Sequence, residues 1–163
     1  MSTPLVIDEW LIADLNNENG PLNLEKSLNF IIRIHTVCDH FVMLKDSAIH
    51  KKINRFSKWA NRDILTKSSF QFFNGLISTN PKKLIFMNST AVSALSPALN
   101  RITPDDDKYL LQLHLLVRGS MIITSDKRLI GKYTKFSVIK IYEKEKFIND
   151  YLANNGISKF YKH

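Results

Sequence analysis

The sequence of 163 residues has a single cysteine, Cys38, so an intramolecular disulfide is excluded. One thiol in a chain of this length is typical of a reducing compartment. No apolar run approaches the ~20 residues that a helix needs to cross a bilayer. The first ten residues, MSTPLVIDEW, contain two acids and no basic residue, which does not fit a secretory signal peptide. We therefore expect a cytoplasmic protein with no membrane partner.

Several common functional motifs are also missing. The sequence has no Walker-type loop and no Gly-x-Gly-x-x-Gly, which argues against the nucleotide-binding folds that use them. It has no Gly-x-Ser-x-Gly elbow, so nothing suggests a serine hydrolase. The histidines have no spacing typical of metal ligands, which disfavours zinc: His35, His40, His50 and His114.

Positive charge is in excess, because 23 Lys and Arg residues oppose 15 Asp and Glu residues and give a net charge of +8. A positive field of this size favours a polyanionic partner. Hydrophobic residues make up 44% of the chain, whose length is that of one ordinary domain with a core. We predict a single domain over residues 1–154 and a basic, aromatic tail over residues 155–163.

Short apolar strands alternate with amphipathic helices, a pattern that predicts an α/β fold with a mostly parallel sheet. The predicted strands are Pro4–Asp8, Phe41–Leu44, Leu84–Met87, Met121–Thr124 and Phe136–Tyr142. The predicted helices are Glu9–Leu15, Leu24–Val37, one from Asp46 or Ser47 to Ala60, Ser69–Ile77, one from an N-cap at Thr103 to about Arg118, and Lys144–Ala153. A loop around Gly131 is predicted to separate the last two strands.

The helix after the second strand is predicted to have two distinct faces. Its apolar stripe comprises Ile49, Ile53, Phe56 and Ala60, and its basic stripe comprises Lys51, Arg55, Lys58 and Arg62. A basic stripe is ordinarily a solvated face, but its start at the carboxyl side of the sheet makes RNA contact an equal alternative. Nearby aromatic residues would stack on bases or pack in the core or a dimer interface: Trp59, Phe70, Phe72 and Phe73.

Three aspartates occupy positions that a parallel sheet brings to one edge. Asp8 lies where the first strand ends, Asp126 lies just past the fourth strand, and Asp107 opens the helix that leads into it. Sites in open α/β sheets form outside the carboxyl ends of the strands. If the two strands are neighbours, the carboxylates converge and raise one another's pKa unless a cation neutralises them. Mg²⁺ or Mn²⁺ is the cation that oxygen ligands favour, whereas the alternative for each aspartate is a helix cap.

Two blocks of the sequence resemble the PIN-domain ribonucleases. Val6-Ile7-Asp8 is similar to the opening strand of that family, which ends in an acid. The block from Asp107 to Asp126 is similar to its second half, with an Asp-started helix, a Gly-containing turn, a strand and Thr-x-Asp. The predicted last strand and helix follow in the family's order, so the resemblance spans most of residues 4–153. It implies a three-layer α/β/α sandwich with a central, mostly parallel sheet of about five strands.

The resemblance implies a metal-dependent endoribonuclease that hydrolyses phosphodiester bonds of single-stranded RNA. Asp8, Asp107 and Asp126 would be the catalytic, metal-binding residues, and Thr124 and Ser125 would orient them by hydrogen bonds. Asp106 is the alternative to Asp107, because helix periodicity places it in line with apolar residues while the spacing to Asp126 favours Asp107. Lys51, Lys52, Arg55 and Lys58 would lie near the RNA phosphates. Single-domain members are often toxins paired with an antitoxin, and they are often homodimers.

The sequence departs from this family in the helix after the second strand, where PIN nucleases usually carry a glutamate. The corresponding stretch runs from Asp46 to Ile53 and has none. Asp46 would replace that carboxylate if it reached the same crevice, Glu9 and Asp14 are further substitutes, and a lysine in contact with the phosphate is the remaining alternative.

Two other hypotheses follow from the same residues. The missing glutamate favours a catalytically weak PIN-like domain that binds RNA or a protein partner. A phosphotransfer receiver, with an acidic pocket at Asp8 and Glu9, would need an acceptor aspartate at the end of a central strand. The predicted third strand ends instead in Met87-Asn88-Ser89, which disfavours that fold.

Overall fold

A five-stranded sheet forms the centre of the protein, as the apolar runs in the sequence predict. The computed structural model describes residues 2–59, 63–154 and 156, without the side chain of Trp59. The strands are β1 (Pro4–Ile7), β2 (His40–Leu44), β3 (Leu84–Met87), β4 (Met121–Thr124) and β5 (Ile141–Glu143). All pair in parallel, in the order β3-β2-β1-β4-β5. The predicted stacking by Trp59, the stripe positions Ala60 and Arg62, and the tail apart from Gly156 lie outside the described residues.

Helices connect and cover these strands, so the predicted three-layer α/β/α fold is confirmed. They are α1 (Trp10–Leu15), α2 (Pro21–Thr36), α3 (Ala48–Trp59), α4 (Ile64–Phe73), α5 (Pro97–Ile102), α6 (Lys108–Leu116), α7 (Lys127–Tyr133) and α8 (Lys144–Ala153). A π-helical turn continues α4 over Asn74–Ser78, and 3₁₀ turns occupy Ser89–Ala91 and Asp105–Asp107. In the described part of the chain, no helix has both the length and the apolar character that crossing a bilayer requires.

The strand order creates a crevice beside the central strand β1. The chain passes outward from β1 to β2 and β3, then returns to the other side of β1 to form β4 and β5. In sheets of this kind, ligands bind where the order reverses, outside the carboxyl ends of the strands. Ile7 pairs with Ile123, so Asp8, the residue after β1, lies beside Thr124, the last residue of β4.

The helix predicted from Thr103 begins later than expected, and the prediction that Thr103 is an N-cap is wrong. The backbone N–H and the hydroxyl of Thr103 both donate to the carbonyl of Leu99, so this residue ends α5. Helix α5 was not predicted and starts at Pro97, where the Ser96 hydroxyl accepts from the N–H of Leu99. The three acids that follow form a 3₁₀ turn before α6 starts at Lys108.

The segment between β4 and β5 also differs from the prediction. Residues 127–133 form α7 instead of a loop around Gly131, because Asp126 caps this short helix. The fifth strand is only Ile141–Glu143, whereas Phe136–Tyr142 was predicted. Before it, Lys140 donates its N–H to Nε2 of His114, so a side chain on α6 replaces a strand partner there.

Two helices begin before the predicted residue. Helix α2 starts at Pro21, three residues before Leu24. Helix α4 starts at Ile64 and not at Ser69, because the carboxylate of Asp63 accepts from the N–H of Thr66 at 2.8 Å and caps the earlier turn. The start of α2 has a proline in the first turn and no side-chain cap, whereas the start of α4 is capped by Asp63.

The two-faced character of α3 is confirmed for the residues described. Ile49, Ile53 and Phe56 are buried, and the basic stripe residues Lys51, Arg55 and Lys58 are exposed. The nearby aromatic residues pack inward, so base stacking by them is not supported. Phe73 is fully buried, Phe70 meets the Phe56 ring edge-on at 5.3 Å, and Phe72 packs against the core.

Candidate functional site

An open cavity of about 320 Å³ lies outside the carboxyl ends of β1 and β4. We call it the acidic pocket. Its lining comprises Asp8, Glu9, Trp10, Ala13, Asn19, Lys52, Asp107, Ser125 and Asp126. The three aspartates that the sequence places far apart are therefore brought to one cavity, together with Glu9 and a single lysine.

Asp8 is the most buried acid of the pocket, with 8% of its surface exposed. Its Oδ1 accepts from the N–H of Trp10 at 2.9 Å, and its Oδ2 accepts from the hydroxyl of Thr124. Burial raises the pKa of Asp8 to about 6, and the negative charge of Glu9 acts in the same direction. Hydrogen bonds from Thr124, Trp10 and the Ser125 backbone lower this pKa but do not compensate for burial.

Thr124 connects Asp8 and Asp126, which lie on different elements of the pocket. Its hydroxyl donates to Asp8 and accepts from the backbone N–H of Asp126 at 3.0 Å. The indole N–H of Trp10 donates to the carbonyl of Ile123 at 3.0 Å, which ties the start of α1 to the end of β4. Ser125 lines the pocket as an exposed residue, and its backbone reaches Asp8. Thr124 thus occupies the orienting position expected from the sequence.

Asp107 enters the pocket from the 3₁₀ turn before α6, and it is half-buried. Burial raises the pKa of Asp107, and the charges of Asp126, Glu9 and Asp106 raise it further, in that order. Asp106 itself is exposed and does not line the cavity. Of the two alternatives in the sequence, the structure places Asp107 in the pocket.

Asp126 both caps a helix and lines the acidic pocket, which the sequence presented as alternatives. Its Oδ1 accepts from the backbone N–H groups of Arg128 and Leu129, at 2.7 and 3.2 Å, so it caps α7. It also lines the acidic pocket and contributes to the repulsion at Asp107. An ionised carboxylate has about four lone-pair positions, so capping leaves further acceptor capacity.

Tyr109 was missed in the sequence. Within the described residues its buried hydroxyl has no hydrogen-bond partner. Burial raises its pKa, and the carboxylates of Glu9, Asp8 and Asp107 add to the effect, so the hydroxyl lies close to the pocket acids. An unpaired buried hydroxyl is costly, which points to a ligand or water as its missing partner. The spacing of two residues from Asp107 is the only sequence signal, and it does not reveal where the ring points.

Two proposed substitutes for the missing glutamate do not reach the acidic pocket. Asp46 is exposed, has a positive φ of 64°, and donates its backbone N–H to Nδ1 of His50 at 2.9 Å. Asp14 is fully buried, and its Oδ2 lies 2.6 Å from Nζ of Lys144. Glu9 is the one substitute that lines the cavity.

The basic residues of α3 divide into two groups. Lys52 lines the acidic pocket and also a neighbouring cavity, which Arg55 lines with it. Lys51 and Lys58 are exposed and line neither cavity. Of the four predicted RNA-binding residues, the structure therefore brings Lys52 into the acidic pocket and Arg55 into the cavity next to it.

The donors of the acidic pocket fit a hard divalent cation, because they are oxygen atoms of carboxylates. Burial, and then the negative charge of neighbouring carboxylates, raises the pKa values of Asp8 and Asp107. Among the residues described, however, no group of three or more His, Cys, Asp or Glu side chains is gathered closely enough to hold a metal ion. Mg²⁺ is usually bound by one or two carboxylates, retained waters and substrate phosphates, so two acids of the pocket suffice. The sequence matches no family model and no curated protein.

Proposed function

We propose that this protein is a PIN-like, metal-dependent endoribonuclease that hydrolyses phosphodiester bonds of single-stranded RNA. The observation that carries the proposal is the convergence of Asp8, Asp107 and Asp126 on one cavity at the reversal point of the sheet. The order of the elements from β1 to α8 supports the resemblance to PIN domains.

Mg²⁺ or Mn²⁺ would bind in the acidic pocket through the carboxylates of Asp8 and Asp107, with Asp126 beside them. When bound, a divalent cation would supply Lewis-acid activation of the phosphate and of the attacking water. The repulsion among the pocket acids favours this site, since a bound cation removes it.

The remaining residues of the pocket would position the reactants. Thr124 and the N–H of Trp10 hold both oxygens of Asp8 in place, which reduces the reorganisation needed at the carboxylate. Lys52 supplies the positive charge at the edge of the pocket and would bind a phosphate oxygen. The unpaired hydroxyl of Tyr109 would donate to a water or a phosphate oxygen near Asp8 and Asp107.

A second candidate function is RNA or protein binding without cleavage. Two observations favour it: the described residues contain no ready-made group of three metal ligands, and Asp46 lies outside the pocket. A site with fewer carboxylates binds a divalent cation more weakly and gives less stabilisation to the charge of the transition state.

The further proposals rest on the family resemblance alone. By that resemblance the protein acts in the cytoplasm as a toxin-type nuclease, pairs with an antitoxin-like protein and forms a homodimer. The net charge of +8 fits an RNA substrate and fits an acidic inhibitor equally.

Cleavage of end-labelled single-stranded RNA in Mn²⁺ tests the nuclease proposal. We expect Asp8→Asn, Asp107→Asn and Asp126→Asn each to lower the rate by about 100-fold or more, the scale of one lost electrostatic contact to a transition state. Asp105→Asn is the matched control, because Asp105 is exposed and pairs with Lys108 at 2.5 Å outside the cavity. Cleavage that persists in EDTA or in all three variants contradicts the proposal, and metal-independent RNA binding without cleavage favours the second candidate.

A further inference from the structure

A second cavity adjoins the acidic pocket and is lined by residues of different chemistry. It has a volume of about 210 Å³ and is lined by Ile12, Asn16, Glu18, Lys52, Arg55 and Phe56. We call it the side cavity. Lys52 lines both cavities, so a ligand in the side cavity is separated from the acidic pocket by this side chain.

The walls of the side cavity come from two helices that pack against each other, α1 and α3. Its apolar residues, Ile12 and Phe56, are buried, with 4% and 1% of their surface exposed. Its two cations, Lys52 and Arg55, are three residues apart on α3, so helical geometry places them on the same side. The cavity is therefore apolar where it is buried and charged where it meets solvent, where two cations and the carboxylate of Glu18 line it.

The polar rim of the side cavity is formed by the turn after α1. The amide Nδ2 of Asn16 donates to Oε1 of Glu18 at 2.8 Å and orients that carboxylate. An ionised carboxylate is an acceptor only, so it binds ligand groups that carry N–H or O–H. It repels groups that present only carbonyl oxygens.

We propose that the side cavity binds one base of a nucleotide, with the phosphate of that nucleotide beside Lys52 at the edge of the acidic pocket. This inference rests on the proposed nuclease function for its biological meaning, and it names the part of the substrate that the site selects. Single-stranded RNA is recognised by bases that are turned out, enclosed by apolar or planar groups and read along their edges. A cavity of this size, below the roughly 300–1,000 Å³ of pockets for drug-sized ligands, admits one base.

Glu18 makes the side cavity selective among bases. Cytosine, adenine and guanine carry an exocyclic amino group that donates to a carboxylate. Uracil has no amino group, and its single ring N–H is flanked by two carbonyl oxygens that a carboxylate repels. We therefore expect the site to prefer an amino-bearing base over uracil.

Binding of mononucleotides to the full-length chain tests the proposal without relying on cleavage, because a mononucleotide has no phosphodiester bond between nucleosides. CMP, UMP and ribose 5-phosphate are titrated without divalent metal, and affinities are measured by calorimetry. Backbone amide shifts in NMR spectra locate the site. We expect CMP to bind about 10-fold more tightly than UMP, the scale of one good base contact. Ribose 5-phosphate should bind more weakly than both, and the shifts should include Ile12, Asn16 and Phe56.

Two variants separate the phosphate contact from the base contact. Lys52→Ala should weaken CMP and UMP equally, by about five- to tenfold, the scale of a lost charge-assisted hydrogen bond. Lys51→Ala, an exposed lysine of the same helix that lines neither cavity, is its matched control and should change neither affinity. Glu18→Gln should remove the preference for CMP without weakening UMP. Glu25→Gln, on the exposed face of α2, should retain the preference.

The two proposals fail in distinguishable ways. Equal affinity for CMP, UMP and ribose 5-phosphate, or shifts confined to another surface, overturns the side-cavity assignment whether or not RNA is cleaved. Selective CMP binding that Glu18→Gln abolishes supports the assignment even if no Mn²⁺-dependent cleavage is found. In that case only the nuclease function is lost.

Discussion

Two buried carboxylates at opposite ends of α1 have opposite surroundings. Asp14, in the last turn, lies 2.6 Å from Nζ of Lys144 and accepts from the Ser27 hydroxyl at 2.6 Å and the Asn19 amide at 2.8 Å. Asp8, just before the first turn, forms no ion pair with any described residue, and burial raises its pKa to about 6.

The comparison indicates that Asp14 stabilises the fold, whereas Asp8 is the acid that is available to bind a ligand. A buried charge that is paired and hydrogen-bonded is expected in a stable core, because an unpaired one is costly. A buried acid with a raised pKa in a cavity is a candidate functional group. Lys144 also lies 5.1 Å from the centre of the Trp10 ring, so the paired end of α1 supports a residue that lines the acidic pocket.

The largest expected effect comes from breaking the paired end. Lys144→Met removes the cation and leaves Asp14 buried and uncompensated, which should lower the free energy of unfolding by about 3–5 kcal/mol. Urea denaturation at pH 7 measures this loss. The double variant with Asp14→Asn should recover part of it, and Lys146→Met, an exposed lysine of the same helix, should change little. If Lys144→Met were as stable as the wild type, the ion pair between Lys144 and Asp14 would not explain the difference between the two ends of α1.

Substitution of the unpaired carboxylate, Asp8, should change the free energy of unfolding in the opposite direction. Asp8→Asn should raise the free energy of unfolding at pH 7, by up to about 3 kcal/mol, because the wild-type pKa is raised from 3.8 to about 6. The fold of the wild type favours the protonated form of Asp8. The stability that this preference contributes is fully present below pH 3.8 and is lost as the pH rises through about 6. The difference between variant and wild type should therefore be near zero at pH 4 and maximal above pH 6. A difference independent of pH would contradict the pKa shift.

Adding Mn²⁺ should make the two ends more alike by giving Asp8 a positive partner. At ten times its dissociation constant, the ion should stabilise the protein by about 1.4 kcal/mol. Thermal denaturation at pH 7.5 measures the effect, which should decrease below pH 6 because protons compete for Asp8. Asp107→Asn should reduce the stabilisation and Asp105→Asn should not. An equal effect in all three proteins would place the bound ion elsewhere.

The smallest expected change in stability concerns a pair of tyrosines. Tyr109→Phe removes a hydroxyl without a described partner, so stability should change by less than about 0.5 kcal/mol while the RNA cleavage rate falls about 10-fold. Tyr151→Phe removes a hydroxyl that donates to Asp39 at 2.9 Å. It should cost about 1–2 kcal/mol and leave the rate constant unchanged. Reversed results would assign Tyr109 to the fold.

The sequence predicted the elements whose signal is local and missed those that depend on distant partners. β3, β4 and α8 have the predicted bounds, because each is a dense apolar run or a clear amphipathic pattern between polar turns. Helix α7 and the short β5 depend on the Asp126 cap and on the contact between His114 and Lys140. No periodicity in the segment reveals such contacts.

For the site too, the sequence predicted what depends on local position and missed what depends on distant contacts. Positions at strand ends were enough to group Asp8, Asp107 and Asp126, because parallel strands place their carboxyl ends together. Asp14 is kept out of the acidic pocket by its ion pair with Lys144, which lies 130 positions along the chain. The Tyr109 hydroxyl lacks a described partner because of how the side chains pack around it. Only the folded chain contains that information.

The uniform direction of the five strands also has a practical consequence for engineering the protein. The connections that leave the carboxyl ends of β1 and β4 border the acidic pocket, whereas the turns that enter the strands lie on the far edge. The turn at Arg118 and Gly119, where the glycine has a φ of 77°, is one of these and is exposed. A fluorophore or surface tether attached there would leave the opposite edge open to solution, so immobilised protein should still bind its ligands.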